Sequence, residues 1–178
     1  MTEAVLITGT TLVDGTGGEP TEQAAVLVRD GRILATGARD SIAAHAEAAG
    51  ADIVDATGTW TIPGLIDAHI HSALTGIESM PVFLACGVTT VRDVGGPLDA
   101  VVAIRDQLTA GDLPGPRFIF CGPLIDGEPA SFPSGLLPIL QSTPDAGAAA
   151  ALAEECIARG AGAIKLYFRL PRASLQAA

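Results

Sequence analysis

Histidine is scarce in this sequence: three residues among 178, at positions 45, 69 and 71. Basic residues are scarce too, with ten Lys and Arg against twenty Asp and Glu and a formal net charge of −10. A surface of that sign repels phosphate backbones, so no nucleic-acid partner is expected. Cysteine is limited to Cys86, Cys121 and Cys156, without any C-x-x-C spacing, which argues against a disulfide framework. Each stands among apolar residues and reads as a buried, inert thiol, a catalytic thiol being the alternative. No stretch reaches the roughly 18 continuous apolar residues of a membrane helix. The first residues lack the basic region and long apolar core of a secretory signal. A cytoplasmic chain without a membrane partner is the expectation.

What is present is globular in kind, 48% hydrophobic and 17% charged. The length suits one domain or somewhat more and can bury a sizeable core. Residues 4–62 read as β-structure. A turn-rich patch at 14–18 follows a first apolar strand, and Asp30-Gly31 between 24–29 and 32–36 is a two-residue hairpin signal. Residues 41–49 read as a short helix carrying His45 on its surface, and 53–56 and 59–62 as further strands. After Pro63-Gly64 the pattern becomes strand, helix, strand, helix. Strands are expected at 65–71, 88–94, 117–121 and 163–167, and helices at 77–86 and 97–110. A third helix is capped by Thr143 and runs to Arg159. Such alternation implies parallel βαβ units with both sheet faces covered. The proline-rich connection at 122–142 reads either as a substrate-facing loop or as a plain surface excursion. Residues 170–176 resemble the opening of a fourth helix. Four βα units make about half of an eight-stranded barrel, which needs about 250 residues, so the sequence reads as cut short.

The chemistry gathers in Pro63-Gly64-Leu65-Ile66-Asp67-Ala68-His69-Ile70-His71. On a strand, Asp67, His69 and His71 share one face. Two imidazoles so placed can bind a single ion, although two exposed histidines on a half-buried strand would look the same. In a parallel barrel strand that face points inward, where polar groups need partners and a divalent metal provides them. Lys165 lies on an apolar strand opposite Ile164 and Leu166. Burial lowers a lysine's pKa, and a neutral amine can take up carbon dioxide to form a carbamate able to bridge two metals. The bland alternative is a lysine snorkelling from the strand's end.

The 63–71 stretch resembles the first-strand metal motif of the amidohydrolase superfamily. Gly87-Val88-Thr89-Thr90-Val91-Arg92-Asp93-Val94-Gly95-Gly96 is similar to that family's second strand. Gly162-Ala163-Ile164-Lys165-Leu166-Tyr167 is similar to its fourth strand in members with a carboxylated lysine. The resemblance covers nearly the whole chain. It implies an α/β fold: a small β-sandwich portion over 1–62, then strands 1 to 4 of a TIM-type (β/α)8 barrel over 63–178. It further implies a metal-dependent hydrolase of C–N bonds, with one or two divalent ions, most often zinc. His69 and His71 would be ligands, and Lys165, carbamylated by carbon dioxide, the bridge. Asp67 would orient the histidines or the local network. Arg92 and Asp93, near the second strand's end, would form an internal ion pair or contact substrate. The family's sites also use a His from strand five, a His from strand six and an Asp base from strand eight. No residue here matches those roles, so the catalytic base is unassigned.

The substrate implied is a small-molecule amide or dipeptide. The Ile-Lys-Leu-Tyr context leans towards dipeptidase-like or N-acyl-amino-acid hydrolysis, with cyclic amides of the hydantoinase type as runner-up. The competing expectation is an inactive half-barrel that acts as an interaction partner. Its open strand edges would favour a homo-oligomer or pairing with a missing C-terminal half.

Overall fold

Nine residues rich in Val, Ile, Thr and Leu form β1 (Ala4–Leu12), the centre of the first of two units, residues 1–63 and 64–178. The structure is a computed structural model that describes residues 4–45, 50–132 and 138–178. β1 pairs antiparallel with β2 (Thr21–Arg29), which pairs antiparallel with β3 (Arg32–Ala38). On its other edge β1 runs parallel to β4 (Asp52–Asp55) and β5 (Trp60–Thr61). Asp30 and Gly31 turn β2 into β3 with φ of 51° and 71°, the left-handed pair that a two-residue hairpin requires. Ala25 and Leu27 pack with Leu6 and Ile42, whereas Ala24 and Val26 pack with Leu12. Alternate residues of β2 therefore fill two opposite faces of the sheet. Ile42 belongs to α1 (Arg39–Ala43), which is shorter than the helix expected over 41–49; residues 46–49 lie outside the described residues. His45 is exposed.

The second unit carries a parallel sheet of β6 (Leu65–Ile70), β7 (Val88–Asp93) and β8 (Arg117–Phe120), in chain order. Parallel neighbours need crossovers. Here α2 (Ser72–Thr75) and α3 (Ser79–Ala85) make the first, and α4 (Leu98–Ala110) the second. α4 ends on Gly111, whose φ of 80° is the left-handed cap that glycine adopts without a Cβ penalty. Ile70, Met80, Val91, Val101, Ile104, Phe118 and Phe120 form the main core. The proline-rich connection is not a bare excursion: β9 (Leu124–Asp126) and β10 (Leu140–Ser142) pair in parallel within it. α5 (Ala146–Ala158) buries Ala149, Leu152, Ala153 and Cys156 against Ile125 of β9, and α6 (Arg172–Ala177) follows Pro171.

Four expectations are corrected here. Thr143 does not cap α5, because its amide and hydroxyl both donate to the Asp126 carbonyl, at 2.8 and 3.0 Å. Asp145 takes the role, accepting from the Ala148 amide at 2.8 Å. The fourth strand over 163–167 is reduced to one bridge, Leu166 to Ile125, since β9 is only three residues long and offers no further ladder. Backbone bonds still dock it: Ile125 N–H donates to Lys165 O at 2.9 Å and Tyr167 N–H to Ile125 O at 2.8 Å. β6 is not covered on both faces, for Leu65 and Ile66, successive residues that point to opposite faces, are 50% and 69% exposed. Cys86, at the C-terminal end of α3, is exposed, while Cys121 and Cys156 are buried.

Candidate metal centre

His69 and His71 leave the C-terminal end of β6, and the strand is irregular just there. Asp67 is opposite Val91 and Ile70 opposite Asp93, so β6 spends three steps where β7 spends two. This extra residue is a β-bulge, a device that re-aims side chains and leaves backbone groups unpaired. Arg92 answers it by donating its Nε–H to the Ala68 carbonyl at 2.9 Å. Asp67 accepts from the His69 amide at 3.1 Å, fixing the backbone that carries the imidazole rather than the ring itself. The two rings meet edge to face, with centroids 5.4 Å apart.

His71 is held from the side of β7. Its Nδ1–H donates to the Gly95 carbonyl at 2.9 Å. A carbonyl only accepts, so the proton sits on Nδ1 and the Nε2 lone pair is left for a ligand. Gly95 lets the backbone approach closely here: a Cβ would displace the end of the Leu124 side chain and come within 3.0 Å of the His71 ring. Asp93, fully buried, accepts from the Ser72 amide at 2.7 Å, from the Ser72 hydroxyl, and from the Gly95 amide at 2.9 Å. One carboxylate therefore fixes the residue after His71 and the residue whose carbonyl orients it. Arg92 and Asp93, on opposite faces of β7, have separate partners and do not form the ion pair that was one of the expectations.

Lys165 shares with both histidines a recess of about 300 Å³, whose remaining wall is Leu74, Leu124, Phe132, Ile139 and Tyr167. Lys165 is half-buried and His69 exposed, so the polar end opens to solvent. Burial pushes the Cys121 thiol up; Arg92 and Lys165 oppose the shift and Asp93 adds to it. Burial likewise raises Cys156, helped by Glu155 and Cys121. Protonated, buried thiols do not act as nucleophiles.

The residues present fit a divalent ion in part. Imidazole nitrogens each about 2.0–2.1 Å from one tetrahedral ion place the two ring centroids roughly 5 Å apart, close to the observed separation. The hydrogen bond from His71 to a carbonyl is the arrangement that ligating histidines use. Among the described residues there is no group of three or more His, Cys, Asp and Glu side chains that could hold a metal. Two imidazoles and an amine are therefore what this chain brings together.

Sequence and structure comparisons bear on this arrangement. No family model matches the chain. It is 35% identical over 113 residues to the imidazolonepropionase of Mesorhizobium japonicum, a match covering 58% of this chain and 27% of that protein. It is 36% identical over 119 residues to the N-acyl-D-aspartate deacylase of Alcaligenes xylosoxydans xylosoxydans, covering 65% and 22%. Among solved structures it is similar to a prolidase crystallised with N-methylphosphonate-L-proline, with a TM-score of 0.82 at 20% identity, over 98% of this chain and 52% of that one. These likenesses point to the amidohydrolase superfamily. The chain's matches span about a quarter of these curated relatives and about half of the solved structure. Sequence reasoning missed four contributors to this recess: the bulge at 68–69, Gly95, and the apolar wall residues Leu124 and Phe132. The Gly95-Gly96 pair directly after a strand was the available sign of close backbone approach.

Proposed function

We propose that this chain carries part of the metal centre of a hydrolase that cleaves amide-like C–N bonds, with His69 and His71 as ligands. The observation that carries the reading is the His71 imidazole, whose Nδ1–H is committed to Gly95 and whose Nε2 shares a recess with His69 and Lys165. The fold assigned with it is a β-sandwich portion followed by the first strands of a (β/α)8 barrel. A bound divalent ion, zinc in this reading, supplies Lewis acidity toward the carbonyl and acidifies water to a pKa of about 7. The chain's own residues do the positioning: Asp93 and Gly95 fix the His71 tautomer, and Asp67 and Arg92 hold the bulge that carries His69. Lys165, once its neutral amine adds to carbon dioxide and releases a proton, presents an anionic oxygen to the same recess. The apolar wall holds the substrate, an N-acyl amino acid or a dipeptide such as Xaa-Pro.

The test is hydrolysis of N-acetyl amino acids and Xaa-Pro dipeptides by the whole zinc-loaded protein that contains this chain. His69→Ala and Lys165→Ala should each lose activity by at least about a hundredfold, with zinc content falling in the first. Normal turnover by both variants refutes the assignment. The exposed edge of β6, with Leu65 and Ile66 open to solvent, favours a second reading in which this strand pairs with further polypeptide. Light scattering that shows a well-behaved monomer of the 178-residue chain would count against it.

A further inference from the structure

Two peptide segments close the apolar end of the recess, and both are tied to one buried carboxylate. Asp126, at the end of β9, is inaccessible to solvent. It accepts from the Ser131 amide at 2.7 Å through Oδ2 and from the Arg169 amide at 3.0 Å through Oδ1. Ser131 precedes Phe132, and Arg169 follows Tyr167 and Phe168. Two further contacts lace the same segments: Arg169 Nη1 donates to the Pro129 carbonyl at 3.2 Å, and a Cβ on Gly127 would strike the Arg169 carbonyl. The result is a tilted contact between the Phe132 and Tyr167 rings, centroids 5.9 Å apart, facing into the recess that His69, His71 and Lys165 share.

We propose that Phe132 and Tyr167 are specificity-determining residues, an aromatic wall that selects amide substrates bearing a bulky apolar or aromatic side chain, and that Asp126 is the positioning residue that holds this wall together. The proposal rests on the hydrolase reading given above. The recess is polar at the histidine end and apolar at the other, so a ligand that satisfies both is amphipathic. Its carbonyl lies toward the imidazoles and the amine, and its side chain lies against Phe132, Tyr167 and Leu124. Rings packed offset or tilted add attraction beyond the area they cover. Asp126 touches no ligand in this arrangement; it acts through the backbone of residues 131 and 169.

Tyr167 is the only tyrosine in the chain, so fluorotyrosine labelling gives a single fluorine resonance that reports on the wall. The experiment titrates the labelled, zinc-equilibrated chain with N-acetylphenylalanine and with N-acetylglycine. Zinc binding is measured separately by chelator competition. N-acetylphenylalanine is expected to shift the Tyr167 resonance and to bind about tenfold more tightly than N-acetylglycine. Phe132→Ala should shrink that preference to about threefold or less, with zinc binding unchanged. Asp126→Asn, which can keep only one of the two amide bonds, should broaden or move the unliganded resonance and weaken the preference, again with zinc binding unchanged. No shift with either ligand, equal binding of both, or a preference that survives Phe132→Ala overturns the wall. An Asp126→Asn chain that is unfolded, or that keeps the parent preference and resonance, overturns the positioning role. A preference that holds in a chain unable to bind zinc refutes the metal reading and leaves the wall standing.

Discussion

Replacing Asp93 by Asn should damage stability and metal affinity together, and the structure sets the size of both effects. Oδ2 accepts two bonds from Ser72 and Oδ1 one from Gly95. Asparagine has the same shape but only one acceptor oxygen. Turned to keep the Ser72 pair, it faces its NH₂ toward the Gly95 amide, donor against donor. A buried N–H left without an acceptor costs about 1–3 kcal/mol, and the two remaining bonds lose their charged partner at about 1 kcal/mol each. Burying a neutral side chain in place of an ion returns part of this, leaving a net loss of about 2–3 kcal/mol. With a urea dependence of about 2 kcal/mol per molar, the unfolding midpoint of the second unit should fall by about 1–1.5 M. The Gly95 carbonyl shares a residue with the amide that is freed, so the His71 ring loses its fixed orientation. Partners of this kind are worth about 10–100-fold in metal affinity. Urea denaturation followed by circular dichroism and zinc titration against a chromophoric chelator read the two effects. Asp99→Asn is the control: its side chain is 92% exposed and pairs with Arg159 in the first turn of α4, so it should leave zinc affinity unchanged and lower stability by less than Asp93→Asn does. A destabilised Asp93→Asn protein with parental zinc affinity would refute the chain of positioning from Asp93 through Gly95 to His71.

Two other outcomes follow from titratable groups. Burial works against ionisation of Asp126, but the donors of Ser131 and the Gly127 and Arg169 amides outweigh it and hold its pKa below the ordinary 3.8. The folded value is the lower one, so its contribution to stability is fully present above pH 3.8 and is lost as pH falls from there through the folded value. Acid unfolding of Asp126→Asn should accordingly show a flatter pH dependence below about pH 4 than the parent, and parallel curves would contradict it. Cys86 is exposed whereas Cys121 and Cys156 are buried. A disulfide reagent should therefore modify one thiol rapidly in the native protein and all three only in denaturant.

Much of the second unit could be read from residue order because its causes are local. Gly111 stops α4, the apolar run in β8 fits a covered parallel sheet, and the proline-glycine pair at 63–64 marks where the pattern changes. The Asp30-Gly31 hairpin likewise needs nothing beyond its own two residues. The misreadings share a different cause, a distant partner that took a group away from its local use. Thr143 looks like a helix cap, but the Asp126 carbonyl, 17 residues earlier, claims its amide and hydroxyl. Residues 163–167 look like a full strand, but the neighbour that would extend them ends after three residues. Strand alternation predicted one inward face for Asp67, His69 and His71; the bulge at 68–69 breaks that alternation, and Arg92, 24 residues away, accommodates it.

The same distinction explains which half of the site was legible. Its polar half comes from Lys165 and from a run of nine residues that carries both imidazoles within two positions of each other. Its apolar half is organised by β9, three residues inside a segment that carries no strand periodicity. Leu124 lines the recess, Ile125 binds the Lys165 carbonyl and the Tyr167 amide, and Asp126 ties residue 131 to residue 169. Each of these residues acts on a partner at least five positions away, so neither propensity nor periodicity records it. A short buried strand that satisfies backbone groups on both sides has its function written in its neighbours. Residues that position chemistry through backbone amides, as Asp93 and Asp126 do, therefore become visible only once the donors that face them are known.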